Sequence, residues 1–446
     1  MKITINTHGN EKQKQALKEW VNDEVDDIVY GGSKGSGKSY LGISAIFSDA
    51  LMYPQTHYFI ARKQLNDLRK HTIPSINEVF TSWNLTDSYY KYNGQDNYYT
   101  LYNGSIVYML DAKYVPSDPE YQRFGSMQMT RGMIEEAGEF ERDAKNNLLA
   151  SVGRWKNDVY GINGKIIQTC NPAKNYLYTD YYLKDKNGTL PKEKRFIQAF
   201  PQDNKKLPDG YLEQLERNLS QSQKERLLYG NWEYSDDPEQ LIQYQWLVDC
   251  MSTEFIDGMS SLGADVARFG DDSTVLLGGK GNRVDYIIKR ENNDTVETAK
   301  DIMFLMNEKS ISAERVGVDV VGLGAGTVDR LAEDYVYVRS LSGGQKAEED
   351  PETIYEFNNL RSQMYWQARE DIKNGKLCFG DLEPNDRDKI FDDLTSVRYS
   401  FQGMKKIVIE SKDDIKKRLG RSPDYGDAFV YWNWMRKEKA PLFAIG

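Results

Sequence analysis

Along the first half of the chain, short apolar runs alternate with stretches whose apolar residues recur three and four positions apart. Residues 27–30 form a β-prone run that ends at Gly31 and Gly32. Leu41, Ala45, Ile46 and Ala50 then share one face of a helix predicted over 40–51. Further strands are predicted at 57–61, at 132–134 and at 165–169, and the tyrosine- and asparagine-rich stretch 89–103 reads as turns or hairpins. This alternation predicts an α/β fold with a mainly parallel sheet covered by helices.

The pattern breaks at YSDDPE, residues 234–239, which is polar and has no apolar periodicity. A domain boundary is predicted there: 1–234 as the first domain, 235–240 as linker and 241–446 as the second. The second half begins afresh with strands over 263–266, 273–277 and 284–288, and a helix over 295–306 with Asp294 or Thr295 at its N-cap. A strand over 315–321, a helix over 326–334, a strand over 335–338 and a hairpin over 398–409 follow. That layout is mixed α/β, with acidic residues at strand ends.

Composition narrows the reading. At roughly 150 residues per domain, 446 residues predict about three domains or two large ones. A mean hydropathy of −0.69, with no apolar run approaching the ~20 residues of a membrane span, predicts a soluble chain without a membrane partner. The amino terminus lacks the apolar core of a secretory signal, so a cytoplasmic location is expected. Three well-separated cysteines exclude a disulfide framework and a CxxC zinc site. The histidines, His8, His57 and His71, all lie early in the chain. A metal site in the second half therefore needs oxygen ligands, which suit Mg²⁺, Mn²⁺ or Ca²⁺. The net charge of −10 argues against a uniformly basic surface but leaves room for a local basic groove.

Gly32, Ser33, Lys34, Gly35, Ser36, Gly37, Lys38 and Ser39 spell G-x-x-x-x-G-K-S between a predicted strand and a predicted helix. Glycines let backbone N–H groups turn inward around phosphates, and the helix adds its positive end. Lys38 then reaches the β- and γ-phosphates of ATP, and the Ser39 hydroxyl binds its Mg²⁺. Met133-Ile134-Glu135-Glu136 supplies the acidic partner, Glu135 toward the Mg²⁺ shell and Glu136 as general base for water. The pair of motifs indicates nucleotide hydrolysis. In the second half, Asp265, Asp271, Asp272, Asp319, Asp424 and Asp427 come from separate segments. Singly, such aspartates are turn formers; gathered together they can hold two divalent ions for phosphodiester cleavage.

These residues resemble the large terminase subunit of tailed bacteriophages, over nearly the whole length and in the family's order. GGSKGSGKS is followed by IARKQLNDLRK and MIEEAGEF; Gln168 to Pro172 is similar to the family's coupling motif, and LLYGNW to the end of its ATPase domain. GADVARFGDDST, VGVDVVGLGAG and ESKDDIKKRLGRSPDYGDAFVYW resemble its RNase H-like nuclease. The resemblance implies a P-loop ATPase with a lid subdomain over about 175–232, then an RNase H-like nuclease. It implies that Gln13 reads adenine, with Gln15 nearby, and that Asn171 senses the γ-phosphate. Lys34 stands where an arginine is common, and Glu135 where aspartate is common. Arg123 resembles a finger inserted into a neighbouring subunit, with Arg131 the competing candidate. Asp265, Asp319 and Asp427 match the nuclease ligands, and Asp272 an auxiliary fourth with Asp271 its alternative. Asp424 reads as a turn residue, and Lys412 as a phosphate contact or a solvated lysine.

The function so implied is ATP-driven movement of double-stranded viral DNA into a preformed capsid, with metal-dependent endonuclease cleavage of concatemers at the start and end of packaging. Two Mg²⁺ or Mn²⁺ ions would serve the nuclease and one the ATP. Implied partners are the portal protein, the small terminase subunit and copies of the same chain in a ring of five, formed from monomers on the procapsid in the host cytoplasm. The competing reading is a P-loop helicase or repair ATPase whose second half only binds nucleic acid.

Overall fold

The computed structural model describes residues 3–115, 117–234, 239–267, 273–291, 294–349, 353–379, 382–403, 405–419 and 421–437, apart from the side chain of Ser222. The chain divides into two compact units, Met1–Ser235 and Asp236–Gly446. Of the segment read as linker, 235–238 lies outside the described residues. Among the described residues, no helix is long and apolar enough to cross a membrane.

The first unit is built on β1 (Asp27–Gly32), β2 (His57–Arg62), β3 (Tyr90–Asn93), β4 (Tyr98–Leu101), β5 (Ile106–Asp111), β6 (Arg131–Ile134), β7 (Ile166–Cys170) and β8 (Lys194–Ala199). Across the sheet their order is β3-β4-β5-β2-β6-β7-β1-β8. From β5 to β8 every neighbour is parallel, while β3 and β4 add an antiparallel edge where the tyrosine-rich hairpin was expected. β1, β6 and β7 are buried at every position, as a parallel sheet covered on both faces requires. The helix Lys38–Met52 crosses this sheet so closely that a side chain on Gly42 would run into Met133. β8 falls inside the span read as a lid, 175–232, yet it pairs with β1 in the main sheet. Its alternating residues Ile197 and Ala199 are buried, so this part of the span is sheet rather than a separate layer.

The second unit holds β9 (Ser260–Asp265), β10 (Thr274–Lys280), β11 (Arg283–Arg290), β12 (Val316–Asp319) and β13 (Arg339–Leu341), ordered β11-β10-β9-β12-β13. Only β10 runs against the others. A 3-2-1-4-5 order with the second strand reversed is the RNase H-like arrangement. A smaller sheet joins β14 (Glu356–Phe357), β15 (Tyr399–Gln402) and β16 (Lys406–Ile409), the last two as the expected hairpin. Residues 335–338 do not form the expected strand. The helix Gly324–Glu333 ends in a turn in which Tyr335 takes a left-handed φ of 62°, and pairing starts only at Arg339.

Strand periodicity divides this sheet into two faces. Leu262, Ala264, Val316 and Val318 pack with Ala299, Ile302 and Leu331 of the two helices on one side. Gly263 and Gly317 face the other way, where Trp432 and Met435 of the helix Asp424–Met435 press on them; a side chain at Gly263 would meet the helix backbone. All 12 residues of that helix are buried. Asp265 and Asp319 share the parity of these glycines and so turn toward the same helix.

Candidate functional site

The first site forms where β1 runs into the loop 32–39. Gly35 and Gly37 adopt left-handed φ values of 87° and 83°, which glycine tolerates without strain. The loop is braced by Ser33 N–H on the Ala199 carbonyl (3.1 Å), Ser36 Oγ on the Ser33 carbonyl (3.0 Å) and Asn204 Nδ2 on the Gly35 carbonyl (2.7 Å). Lys38 Nζ donates to the Ser33 carbonyl (2.6 Å) and to Asn171 Oδ1 (3.0 Å). Asn171 Nδ2 in turn donates to Glu136 Oε2 (3.1 Å). One amide at the end of β7 therefore joins the loop lysine to the carboxylate after β6. Burial lowers the pKa of Lys38, opposed by the charge of Glu136. Glu136 itself holds a left-handed φ of 53°, the kind of local strain that clusters at functional sites.

A cavity of about 560 Å³ opens over these groups, lined by Lys34, Gly35, Gly37, Lys38, Ser39, Glu136 and Asn171 among others. Inward-turned backbone, a helix start and a lysine fit a nucleoside triphosphate, and the Ser39 hydroxyl at the cavity wall suits its Mg²⁺. Gln13 is not part of the wall. Its Nε2 donates to the Gly37 carbonyl (2.9 Å) and its backbone N–H to Asn10 Oδ1 (3.0 Å), so it holds the loop from behind; Gln15 is exposed. Glu135 also lies off the cavity, buried, accepting from the Thr72 hydroxyl with Arg62 at 3.7 Å.

The two arginines proposed as fingers differ sharply. Arg123 donates to Asp118 Oδ2 and the Lys113 carbonyl, both at 2.6 Å, and its side chain is partly exposed outside the cavity. Arg131 is buried against Asp49 (2.8 Å) with its guanidinium over Trp20, a structural cation that no second chain can reach. Sequence reading missed Arg62, Glu139 and Arg226, which all line the cavity. For Arg62 a signal existed: it is the charged residue that closes a largely buried parallel strand.

The second site gathers Asp265, Asp424 and Asp427 around one ammonium, with Asp319 in the same cluster. Lys412 Nζ lies 2.8 Å from Asp265 Oδ2, 3.1 Å from Asp424 Oδ1 and 3.2 Å from Asp427 Oδ2. Asp319 Oδ2 accepts from the Tyr431 hydroxyl (2.7 Å) and its Oδ1 from Val321 N–H (2.9 Å). Asp427 Oδ1 accepts from Tyr365 (2.6 Å) and faces Arg361 at 3.0 Å. The turn reading of Asp424 is corrected here: it begins the last helix, accepts from Ser273 N–H (3.1 Å) and touches Lys412. Asp393 fixes that first helical turn by accepting from Tyr425 and Gly426 N–H. Lys412 is likewise no free surface lysine, since three of the carboxylates engage its ammonium while its stem stays partly exposed. Asp271 and Asp272 lie outside the described residues. Gly324 lies against the Asp319 carbonyl, where a side chain would collide.

Burial, then Asp424, Asp427 and Asp319, push the Asp265 carboxyl well above the usual range against the pull of Lys412. Burial also raises Asp319. Burial opposes the charge of Asp427, but Arg361 and Lys412 outweigh it and hold that carboxyl low. Burial likewise opposes the Lys412 charge, and the carboxylates overcome it. Among the described residues no three carboxylates stand as a finished metal cage. Three of them nonetheless already aim at one cationic point, and the all-oxygen donor set fits a hard divalent ion.

Residues 29–249 match the family described as "Terminase large subunit, T4likevirus-type, N-terminal". No curated protein matches the chain. Among solved structures, the large terminase of a thermophilic bacteriophage in complex with ADP is similar at 16% identity over 95% of this chain and 98% of that one, with a TM-score of 0.43. Another crystal form of the same phage protein gives 15% identity, coverage of 95% and 97%, and a TM-score of 0.42. The nuclease domain of the large terminase subunit of bacterial virus Sf6 gives 19% identity over 45% of this chain and 100% of that one, with a TM-score of 0.39. By its phosphate-loop unit, its RNase H-like second unit and the family match, the chain belongs to the large terminase subunits.

Proposed function

We propose that this chain is a genome-packaging motor that hydrolyses ATP to move double-stranded viral DNA into a preformed capsid, and that its second unit cuts concatemeric DNA when packaging starts and stops. The observation that carries the reading is the pairing, in one chain, of the Lys38–Asn171–Glu136 relay with a four-aspartate cluster. On ATP binding, Lys38 exchanges its protein partners for the β- and γ-phosphates. Glu136 takes a proton from water as the water oxygen bonds to the γ-phosphorus. The bond to the β,γ-bridging oxygen breaks, and ADP leaves with the negative charge. Asn171, bonded to both Lys38 and Glu136, changes partners with the nucleotide state and so reports hydrolysis to the segment after β7. Mg²⁺ bound with the ATP would neutralise phosphate charge beside Ser39.

In the nuclease, Asp265, Asp319 and Asp427, with Asp424, hold the place for divalent ions, which when bound supply an activated water and a charge on the leaving oxygen. Tyr431, Tyr365 and Arg361 keep two of these carboxylates in fixed orientation. Arg123, partly exposed and outside its own cavity, serves a neighbouring subunit in a ring of five on the portal, to which the small subunit delivers DNA in the host cytoplasm. The test is a plasmid-cleavage gel with Mg²⁺ or Mn²⁺ beside Asp319→Ala, run with an ATP turnover assay beside Lys38→Ala. Cleavage lost only in the first variant and turnover lost only in the second is expected. A folded chain that separates strands but never cuts would overturn the packaging reading in favour of a helicase.

A further inference from the structure

Four adjacent parallel strands, β1, β7, β6 and β2, end along one edge of the first sheet. Three of those ends carry the phosphate loop, Asn171 and Glu136; the fourth carries Arg62. Open parallel sheets bind ligands at their carboxyl edge, and all four ends line the same cavity. Register places Arg62 directly after the pairing of Ala61 with Ile134, so it stands abreast of the acidic pair.

Arg62 has spare capacity. Its ion pair with Glu135 spans 3.7 Å, too long for a direct hydrogen bond, and its Nε is buried without a hydrogen-bond partner. Glu135 does not depend on it, because the Thr72 hydroxyl already donates to that carboxylate. The other cavity arginine, Arg226, spends its Nε on the Pro172 carbonyl (2.8 Å). A guanidinium is a planar fork that matches phosphate oxygens, and buried unpaired donors are rarely kept without a ligand to take them.

We infer that Arg62 is a catalytic residue that donates to the γ-phosphoryl group from within the same chain, stabilising the charge that gathers there as the bond to ADP breaks. This rests on the ATPase reading above. The ring-borne Arg123 then adds to a site that already holds one arginine, and an isolated chain should turn over ATP slowly but measurably.

The experiment compares the full chain with Arg62→Ala and Arg62→Lys, each checked for an unchanged melting temperature. Arg62→Ala should lower kcat about 10³-fold with KM within a few-fold, the scale of an arginine at a transferring phosphoryl group. ADP should bind as before and ADP with fluoroaluminate should bind far more weakly, because only the second mimics the transferring group. Added guanidinium should restore part of the rate in Arg62→Ala, and Arg62→Lys should fall between. A mixture of Arg62→Ala with Lys38→Ala chains should stay inactive; recovered turnover would place Arg62 in a neighbour's site and overturn the same-chain assignment. Turnover and fluoroaluminate binding that survive Arg62→Ala would remove the catalytic role. Absence of turnover in the unsubstituted chain strikes instead at the ATPase reading on which this stands.

Discussion

The two sites handle charge in opposite ways. In the first, one lysine, one amide and one carboxylate are spread along an open cavity, each already bonded to a neighbour that ATP can replace. In the second, four carboxylates crowd into a buried spot and are compensated by Lys412 and Arg361. A nucleotide site must accept a large anion, so lysines, arginines and N–H donors line its walls and its acids stand apart from one another. A site for hard cations must present several acids together, and burying them is costly unless cations or hydroxyls hold each oxygen. The first site can therefore be built from a short contiguous motif, and the second needs a fold around it.

The sharpest way to break this comparison is reciprocal inactivation. Lys38→Ala should cut ATP turnover by roughly 10³-fold or more and leave plasmid cleavage intact, while Asp319→Ala should do the converse. Loss of both activities in one folded variant would mean that the sites are not separate. Next in size, Arg361→Met removes a buried partner of Asp427 whose own side chain is only 13% exposed. It should destabilise the chain by about 3 kcal/mol, a fall in Tm on the order of 6–12 °C, and added Mg²⁺ should recover part of it. Differential scanning calorimetry with and without the ion measures both.

A smaller effect should appear against pH. The Asp265 carboxyl is raised in the folded chain, so its contribution to stability is present below the unfolded value near about 3.9 and is lost as pH rises through the folded value. Asp427 is lowered, so its contribution is present above that unfolded value and is lost as pH falls through the folded one. In metal-free buffer, denaturant titrations should show Asp265→Asn gaining on the unsubstituted chain as pH rises from about 4, and Asp427→Asn gaining as pH falls. Parallel trends would mean the cluster shares its charge evenly. The smallest change belongs to the first site: Asn10→Ala removes the N-cap of the helix Glu11–Trp20 and a bond to the Ser36 carbonyl. It should cost about 1 kcal/mol in the same titration.

How far the molecule was legible follows from this difference. The parallel sheet and the phosphate loop were visible because buried strands, glycines and Lys38 lie in a row and act through local geometry. The RNase H-like half was reached through resemblance, and its strand ends were visible as acids after apolar runs. Arg361, Tyr365 and Tyr431 were not legible as site residues, since on helical segments they look like any polar or aromatic positions, and Lys412 was read only as a phosphate contact or a solvated lysine. Asp424 was misread because SPD is a common turn; here it opens a helix whose first N–H groups are held by Asp393 from another helix. Gln13 was read by resemblance as an adenine contact and Glu135 as part of the Mg²⁺ shell, yet side-chain direction turns both away from the cavity.

By itself the sequence determined that a strand, a glycine loop and a helix start would make a phosphate cradle, because spacing along the backbone sets that geometry. It also determined which faces of the second sheet would be apolar, since strand residues alternate. Only the tertiary structure decided which carboxylates meet. Asp265, Asp319 and Asp427 are separated by long stretches of chain, and their convergence depends on Gly263 and Gly317 letting the last helix lie against the sheet. It also decided which arginines have donors left to give, because Arg131 is consumed by Asp49 while Arg62 keeps a buried Nε without a partner.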